Sequence, residues 1–357
     1  MISASGDSGR MTRLRFGYIN GGVDPLSALE FGVFAERTGF DTLWVPDHFV
    51  DVDGDRLEPW AVLSATAVKT KRMTLASSVT DTQRTHPART AHMVACVDAI
   101  SGGRTILGIG SGEAMNIVPF GLPWDPPRQR VARLVEAIKV IRALWTSSRQ
   151  DPTNFAGQFY RLTNAFLTQP PTQKPYPPIY VGAMASKSAL QVVGRFGEGW
   201  YPWLNTPDTY RKRWSIIREA AESAGRSPEK IESVLHVMVA FPQNATEKRN
   251  ALRAAKTCLI LEKTILASLG HTSQTDHYQN LTCPSKEEVT KTLEAAKAVP
   301  DDVAYRTMAI GGSDEVKEKI DELLKVGVRH FAILNLLGPR TARRTIGSFR
   351  KIIRDYR

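Results

Sequence analysis

The sequence predicts an α/β fold, a closed (β/α)8 TIM barrel with insertions. Three observations predict it. Apolar runs of strand length alternate with amphipathic helical stretches, which calls for parallel strands joined by right-handed crossovers. About eight such units occur, the number that closes a parallel sheet on itself. No polar linker rich in Pro and Gly divides the chain. Residues 13–357 therefore read as one domain, preceded at 1–12 by a polar leader expected to be disordered and lacking the apolar core of a signal peptide.

The first strand is Leu14–Ile19 (LRFGYI), a β-rich run. Pro25–Thr38 follows as a helix and stops at Gly39, the residue type that closes helices. Phe40–Val45 (FDTLWV) is the second strand, Pro59–Thr70 the second helix and Met73–Val79 the third strand. The third helix, Pro87–Ile100, ends at Gly102 and Gly103, and Arg104–Gly110 (RTILGIG) is the fourth strand. Val131, Leu134, Ile138, Ile141 and Trp145 recur in steps of three and four, the clearest helical signal in the chain. AGQFYRLTNAFL (156–167) reads as a hairpin inserted before the fifth strand, Pro178–Val181. Ser186–Arg195 is helical, Gly199–Trp203 is the sixth strand, Pro207–Ala224 a long helix and Leu235–Phe241 the seventh strand. Residues 245–300 are helical without a clear register, so insertions are expected near 150–175 and 245–300. A strand-like Met308–Ile310 precedes a helix at Asp314–Lys325, and His330–Leu336 (HFAILNL) is the eighth strand. The last helix buries Ile346, Phe349, Ile352 and Ile353 and exposes Arg343, Arg344, Arg350, Lys351 and Arg354.

Lys and Arg number 47 against 36 Asp and Glu, a net charge of +11. Much of that excess is the solvated face of the terminal helix. With no basic stripe interleaved with aromatic residues, no nucleic-acid partner is expected. No uncharged apolar run of about 18 residues occurs, so no membrane span is expected. Cys96, Cys258 and Cys283 lie too far apart for a disulfide framework or a CxxC knuckle, and a reducing, cytoplasmic setting is the simplest expectation. His48, His86, His92, His236, His271, His277 and His330 form no HxxxH or His/Cys cluster, so no metal site is expected. His271 and His277 fall in a polar loop, GHTSQTDHYQN, that reads as a lid, and His330 reads as packing.

In such a barrel the chemistry sits on the loops after the C-terminal ends of the strands. The second strand runs into Pro46-Asp47-His48-Phe49, which makes Asp47 and His48 candidates for acid/base work or cofactor contact. After the third come Ser78, Val79, Thr80 and Asp81, small and hydroxyl residues that admit a flat ligand. The fourth runs into Gly108-Ile109-Gly110-Ser111-Gly112-Glu113-Ala114-Met115-Asn116. A dinucleotide fingerprint needs glycine where Glu113 stands. The glycines instead let the backbone approach a planar ring, and Glu113 at the barrel mouth is expected to have a raised pKa and to act as general acid. The fifth strand leads through Gly182, Ala183, Met184, Ala185 and Ser186 into a helix start, an arrangement that binds phosphate. Trp60, Trp124, Trp200 and Trp203 suit a large apolar substrate pocket, or core.

Taken together, WVPDHF (44–49), SSVTDTQRTHPA (77–88), GRTILGIGSGEAMN (103–116), RALW (142–145), PIYVGA (178–183) and GRFGEGW (194–200) resemble the luciferase-like flavin/deazaflavin family of barrels. More narrowly, they resemble its branch that uses the deazaflavin coenzyme F420, and the likeness runs over nearly the whole chain from Leu14. The resemblance implies His48 and Glu113 as catalytic residues. It implies a ring contact at Asp47, a non-proline cis peptide at Ser78–Val79 behind the ring, a matching asparagine at Asn116 and a phosphate loop at Gly182 to Ser186. Ser78, Val79, Thr80, Asp81, Gly110 and Gly112 complete the implied cofactor site. On the substrate side it implies Trp60, Trp203 and Arg306, the last matching an arginine that holds substrate phosphate in the branch's sugar-phosphate dehydrogenases. A lysine of that site has no counterpart in WYPWLNTP (200–207). The branch's pterin reductases carry a glutamate in strand one, where FGYIN (16–20) places Ile19 or Asn20. LEPWAVL (57–63) and TDTQRTHPA are more similar to the branch's lipid ketone reductases. The implied activity is hydride transfer between the deazaflavin C5 and a carbonyl/alcohol substrate, a small molecule, by a homodimer. A methylenetetrahydromethanopterin reductase-like enzyme and a monooxygenase using FMN are the alternatives.

Overall fold

The computed structural model describes residues 13–22, 24–51, 57–272 and 285–357. The leader at 1–12, His277 and Cys283 lie outside the described residues.

The barrel strands are β1 (Arg15–Ile19), β2 (Thr42–Val45), β3 (Thr74–Ser77), β4 (Thr105–Gly110), β5 (Ile179–Val181), β6 (Gly199–Trp200), β7 (Glu232–Ala240) and β8 (His330–Asn335). Each pairs in parallel with the next. The last pairs with the first, from Arg15↔His330 to Tyr18↔Ile333, so the ring closes. The outer helices are α1 (Pro25–Thr38), α2 (Pro59–Lys69), α3 (Pro87–Ser101), α4 (Pro127–Thr146), α5 (Lys187–Phe196) and α6 (Pro207–Ser223). They continue with α7 (Ala245–Leu261), α8 (Lys263–Ser268), α9 (Lys286–Ala296), α10 (Asp301–Thr307), α11 (Ser313–Leu324) and α12 (Ala342–Asp355).

Local chemistry sets most helix ends. Asp24 accepts from the backbone N–H groups of Leu26 and Ser27 at the start of α1, and Gly39, at φ 112°, donates to Ala35 and Glu36 at its end. A hairpin forms from Thr153–Ala156 and Arg161–Ala165, so its first strand begins ahead of the stretch 156–167 read as the hairpin. Strand boundaries shift from the sequence reading by a few residues, and some of the shifts have a visible cause or consequence. β7 starts at Glu232 rather than Leu235, because Glu232 and Ser233 pair with Gly199 and Trp200. β6 stops at Trp200, ahead of Pro202, which has no N–H to give a ladder. β3 stops at Ser77, and the pairing resumes at Thr80–Asp81 beside Ile109–Gly110. Ala309–Ile310 pairs with Val239–Ala240 at the far end of β7, outside the barrel ring, and the helix before it, α10, falls between the helical stretch read at 245–300 and the strand-like run at Met308, where the sequence reading places no element.

Side chains of β7 alternate between the barrel interior and the helix layer, and Met238 and Ala240 at its end join a second cluster with α7, α8 and α10. Val234 joins Ile19, Trp44, Ala76, Ile106, Tyr180, Tyr201 and Ala332 in the barrel interior, while Leu235, Val237 and Val239 pack against the helices. A polar network closes the N-terminal end of the barrel. Arg15 donates to both oxygens of Glu232, at 3.1 and 3.0 Å, and to Thr42 Oγ1 at 3.2 Å. His330, fully buried, lies 3.1 Å from both Thr42 Oγ1 and Glu232 Oε1, and the Tyr180 hydroxyl donates to Glu232. Burial acts to raise the pKa of Glu232, but His330 and Arg15 overcome it and hold the carboxyl at about 2. His330 therefore belongs to this network, beyond the packing expected of it.

Candidate active site

At the other end of the barrel, the loops after β2, β3 and β4 converge. His48 Nε2 lies 3.5 Å from Glu113 Oε2, and His48 Nδ1 lies 3.5 Å from Asp51 Oδ2. Asn116, almost fully buried, joins the two loops: its Oδ1 accepts from Phe49 N at 2.7 Å and Val50 N at 3.0 Å, and its Nδ2 donates to Glu113 Oε2 at 3.4 Å. The amide thus fixes the His48 loop against Glu113. The turn before Glu113 needs glycine: Gly112 has φ +86°, and a Cβ there would come within 2.7 Å of Ile117.

The Glu113 side chain is partly buried, keeping 29% of its surface accessible at the mouth. Burial raises its pKa above the ordinary carboxyl value; His48 opposes that, and Asp51 and Asp81 add to it. A proton is thereby held on Glu113, beside the His48 imidazole, at higher pH than on a solvated glutamate.

The peptide bond Ser78–Val79 is cis. Val79 sits between two bare backbones: a Cβ at Gly110 would stand 2.8 Å, and one at Gly182 2.9 Å, from its Cγ2. Val79 also packs on the interior cluster of Trp44, Tyr201, Val234 and Ala332. A wall formed by the third, fourth and fifth strand ends results, with Thr80 buried beside it.

Arg84 organises the acids. Its Nη2 donates to the Asp47 carbonyl at 2.7 Å and to Asp47 Oδ1 at 2.8 Å, and its Nε donates to Asp81. Asp81 also accepts from the backbone N–H groups of Gln83 and Arg84. The guanidinium lies 4.5 Å from the Phe49 ring. In the sequence Arg84 stands inside the run SSVTDTQRTHPA with no role assigned to it, and Asp51 carries none. The spacing Asp81 to Arg84, i to i+3, was the one available signal for the first.

The loop Gly182–Ser186 is pinned where Trp200 Nε1 donates to the Ala183 carbonyl at 2.8 Å. Ser186 makes no cap hydrogen bond to α5; its hydroxyl pairs with Ser188 Oγ at 2.9 Å. Met184 and Ala185 are half-buried between them.

The proposed substrate residues separate. Trp203 reaches the mouth, its ring 5.4 Å from His236. Trp60 packs instead in the layer between helices and strands, lining a groove of about 360 Å³ with α2 and α3 residues such as Met93 and Cys96. Arg306 is exposed on α10, its carbonyl accepting from Lys319 of α11 at 2.9 Å. Trp200 is fully buried in a stack with Tyr210 and Trp214, and Trp124 lies under Arg130, 3.7 Å from its guanidinium. Among the described residues, no group of three or more His, Cys, Asp or Glu could hold a metal ion, and no helix is long and apolar enough to cross a membrane.

The chain is similar to known proteins in sequence and in fold. The family model for luciferase-like monooxygenase matches residues 11–330. An F420-dependent glucose-6-phosphate dehydrogenase of Amycolatopsis mediterranei is 32% identical over 86% of this chain and 87% of its own length. A phthiodiolone/phenolphthiodiolone dimycocerosates ketoreductase of Mycobacterium tuberculosis is 29% identical over 91% of this chain and 93% of its own. The solved structure of an F420-dependent secondary alcohol dehydrogenase in complex with an F420-acetone adduct superposes with a TM-score of 0.82 at 26% identity, covering 97% of this chain and 99% of that one. The chain is a member of the luciferase-like monooxygenase family.

Proposed function

We propose that the chain is a coenzyme F420-dependent oxidoreductase that moves hydride between the deazaflavin C5 and a carbonyl/alcohol substrate. The observation that carries this reading is the pairing of Glu113 with His48 at 3.5 Å, in a chain whose relatives across most of its length bear F420-dependent names. The residues fit the cofactor. Val79, seated against Gly110 and Gly182, offers a flat apolar backing for a ring. The free N–H groups at the start of α5, behind Gly182 to Ser186, suit its phosphate. When bound, F420 supplies a two-electron hydride donor or acceptor.

The chain supplies the proton and the orientation. Glu113, whose pKa burial raises, and His48 would donate to a substrate oxygen as a carbonyl becomes an alcohol, and would accept that proton in the opposite direction. Asn116 holds the two in register. Arg84 fixes Asp47 and Asp81 at the rim. The pair stays partly accessible at the mouth, where a substrate can reach it.

We further propose that the enzyme is a cytoplasmic homodimer acting on a small molecule. Val68 and Ile100, 63% and 50% exposed, stand on α2 and α3, the two helices whose residues line the Trp60 groove, and support a face covered by a second copy. Light scattering at micromolar concentration should give twice the chain mass of 39.5 kDa; the single mass would contradict it. The activity itself is tested by following reduced F420 spectrally with a panel of ketones, with methylene-pterin, and with FMN plus oxygen. Ketone-dependent oxidation of reduced F420 is expected. Turnover only with the pterin, or only with FMN and oxygen, would replace the reading.

A further inference from the structure

One buried polar group in the barrel mouth is used by none of the chemistry above. His236 lies on β7, two residues beyond Val234 and on the same inward face. It is 7% exposed, and both ring nitrogens are buried with no hydrogen-bond partner. Its nearest rings are Tyr201, edge-on at 4.5 Å, and Trp203 at 5.4 Å. Tyr201 in turn lies 4.3 Å from Trp44 across the barrel interior, so the imidazole stands on an aromatic floor with an aromatic wall beside it. A buried imidazole with two unmet polar atoms is costly and calls for an explanation in a functional site. β7 is four strands round the ring from β3, so His236 faces the Val79 wall from the opposite side of the mouth.

We propose that His236 is a substrate-contact residue whose ring N–H hydrogen-bonds an oxygen of the substrate, with Trp203 packing on that substrate's apolar body. The assignment rests on the hydride-transfer reading and adds the class of substrate to it: a neutral ketone or alcohol on an apolar frame. Burial lowers the His236 pKa to about 3, so the ring stays neutral and gives a phosphate no countercharge. The exposed setting of Arg306 on α10 agrees with this, since that was the arginine expected to hold phosphate.

The test has two parts. In the F420 complex of the wild-type chain, the imidazole nitrogen shifts of His236 are followed by nuclear magnetic resonance while 2-octanone, 2-octanol or glucose 6-phosphate is added. A shift with the neutral probes and none with the phosphate is expected. No response to any neutral probe, or a response to glucose 6-phosphate alone, overturns the proposal. In parallel, His236→Phe and His236→Gln are compared in F420 affinity and in 2-octanone kinetics. F420 affinity should hold within about twofold, KM should rise tenfold or more in the Phe variant, and Gln should recover part of it. An unchanged KM, or a loss confined to F420 affinity, contradicts a substrate contact. A wild-type chain that binds no F420 fails the hydride-transfer reading instead, and the proposal falls with it.

Discussion

Glu113 carries opposite consequences for activity and for stability. Its pKa is raised in the fold by burial, so the folded chain binds more protons than the unfolded one above the ordinary carboxyl value of 4.5. Stability contributed by this site therefore falls as pH rises from about that value towards the raised pKa. Glu113→Gln should lose about 10²–10⁴-fold in kcat. The same variant should melt higher than wild type at pH 8, with the gap closing towards pH 4. For ketone reduction the acid must be protonated, so the rate should decline with rising pH on a limb that Glu113→Gln removes; thermal melts and pH–rate profiles check both. Arg84 acts differently. Its guanidinium satisfies Asp47 and Asp81 together, with all three side chains at most 13% exposed. Arg84→Met strands two buried carboxylates and should cost about 3–5 kcal/mol in urea unfolding.

At the scale of elements, what was legible in the sequence depended on how local the cause was. The first helix was read to its residue bounds, Pro25–Thr38, because its proline start and glycine stop are local. The start of β7 was not, because pairing with β6 extends it beyond its apolar run. The site divides in the same way. Residue types at strand ends marked His48, Glu113 and the glycine turn, since barrel topology alone sends those loops to the mouth. The Arg84–Asp47 link joins positions 37 apart, and the parallel pairing of β2 with β3 brings them together. Trp60 and Trp203 look alike as letters, but packing sends one to the outer layer and the other to the mouth. The glycine wall makes its own prediction. Gly182→Ala puts a methyl 2.9 Å from Val79 Cγ2 and should weaken F420 binding at least tenfold. Val79→Ala in the same chain should recover part of that loss, as read by fluorescence titration.

Across the whole molecule, the barrel is closed by polar chemistry at one end and opened to chemistry at the other. Glu232 has a folded pKa of about 2 against an ordinary 4.5, so its contribution to stability is intact above 4.5 and is lost as pH falls towards 2. Glu232→Gln should flatten the acid side of the unfolding profile, and Glu232→Ala should cost about 3 kcal/mol by stranding Arg15 and His330. These changes lie at the far end of the barrel from Glu113 and should leave F420 affinity near wild type. The central claim is that the mouth is built for a deazaflavin. Its most direct test is a titration of the purified chain with oxidised F420 and, separately, with FMN, read by fluorescence. The account predicts saturable F420 binding that Gly182→Ala weakens, and no comparable FMN binding. Saturable binding of FMN with none of F420 would contradict it.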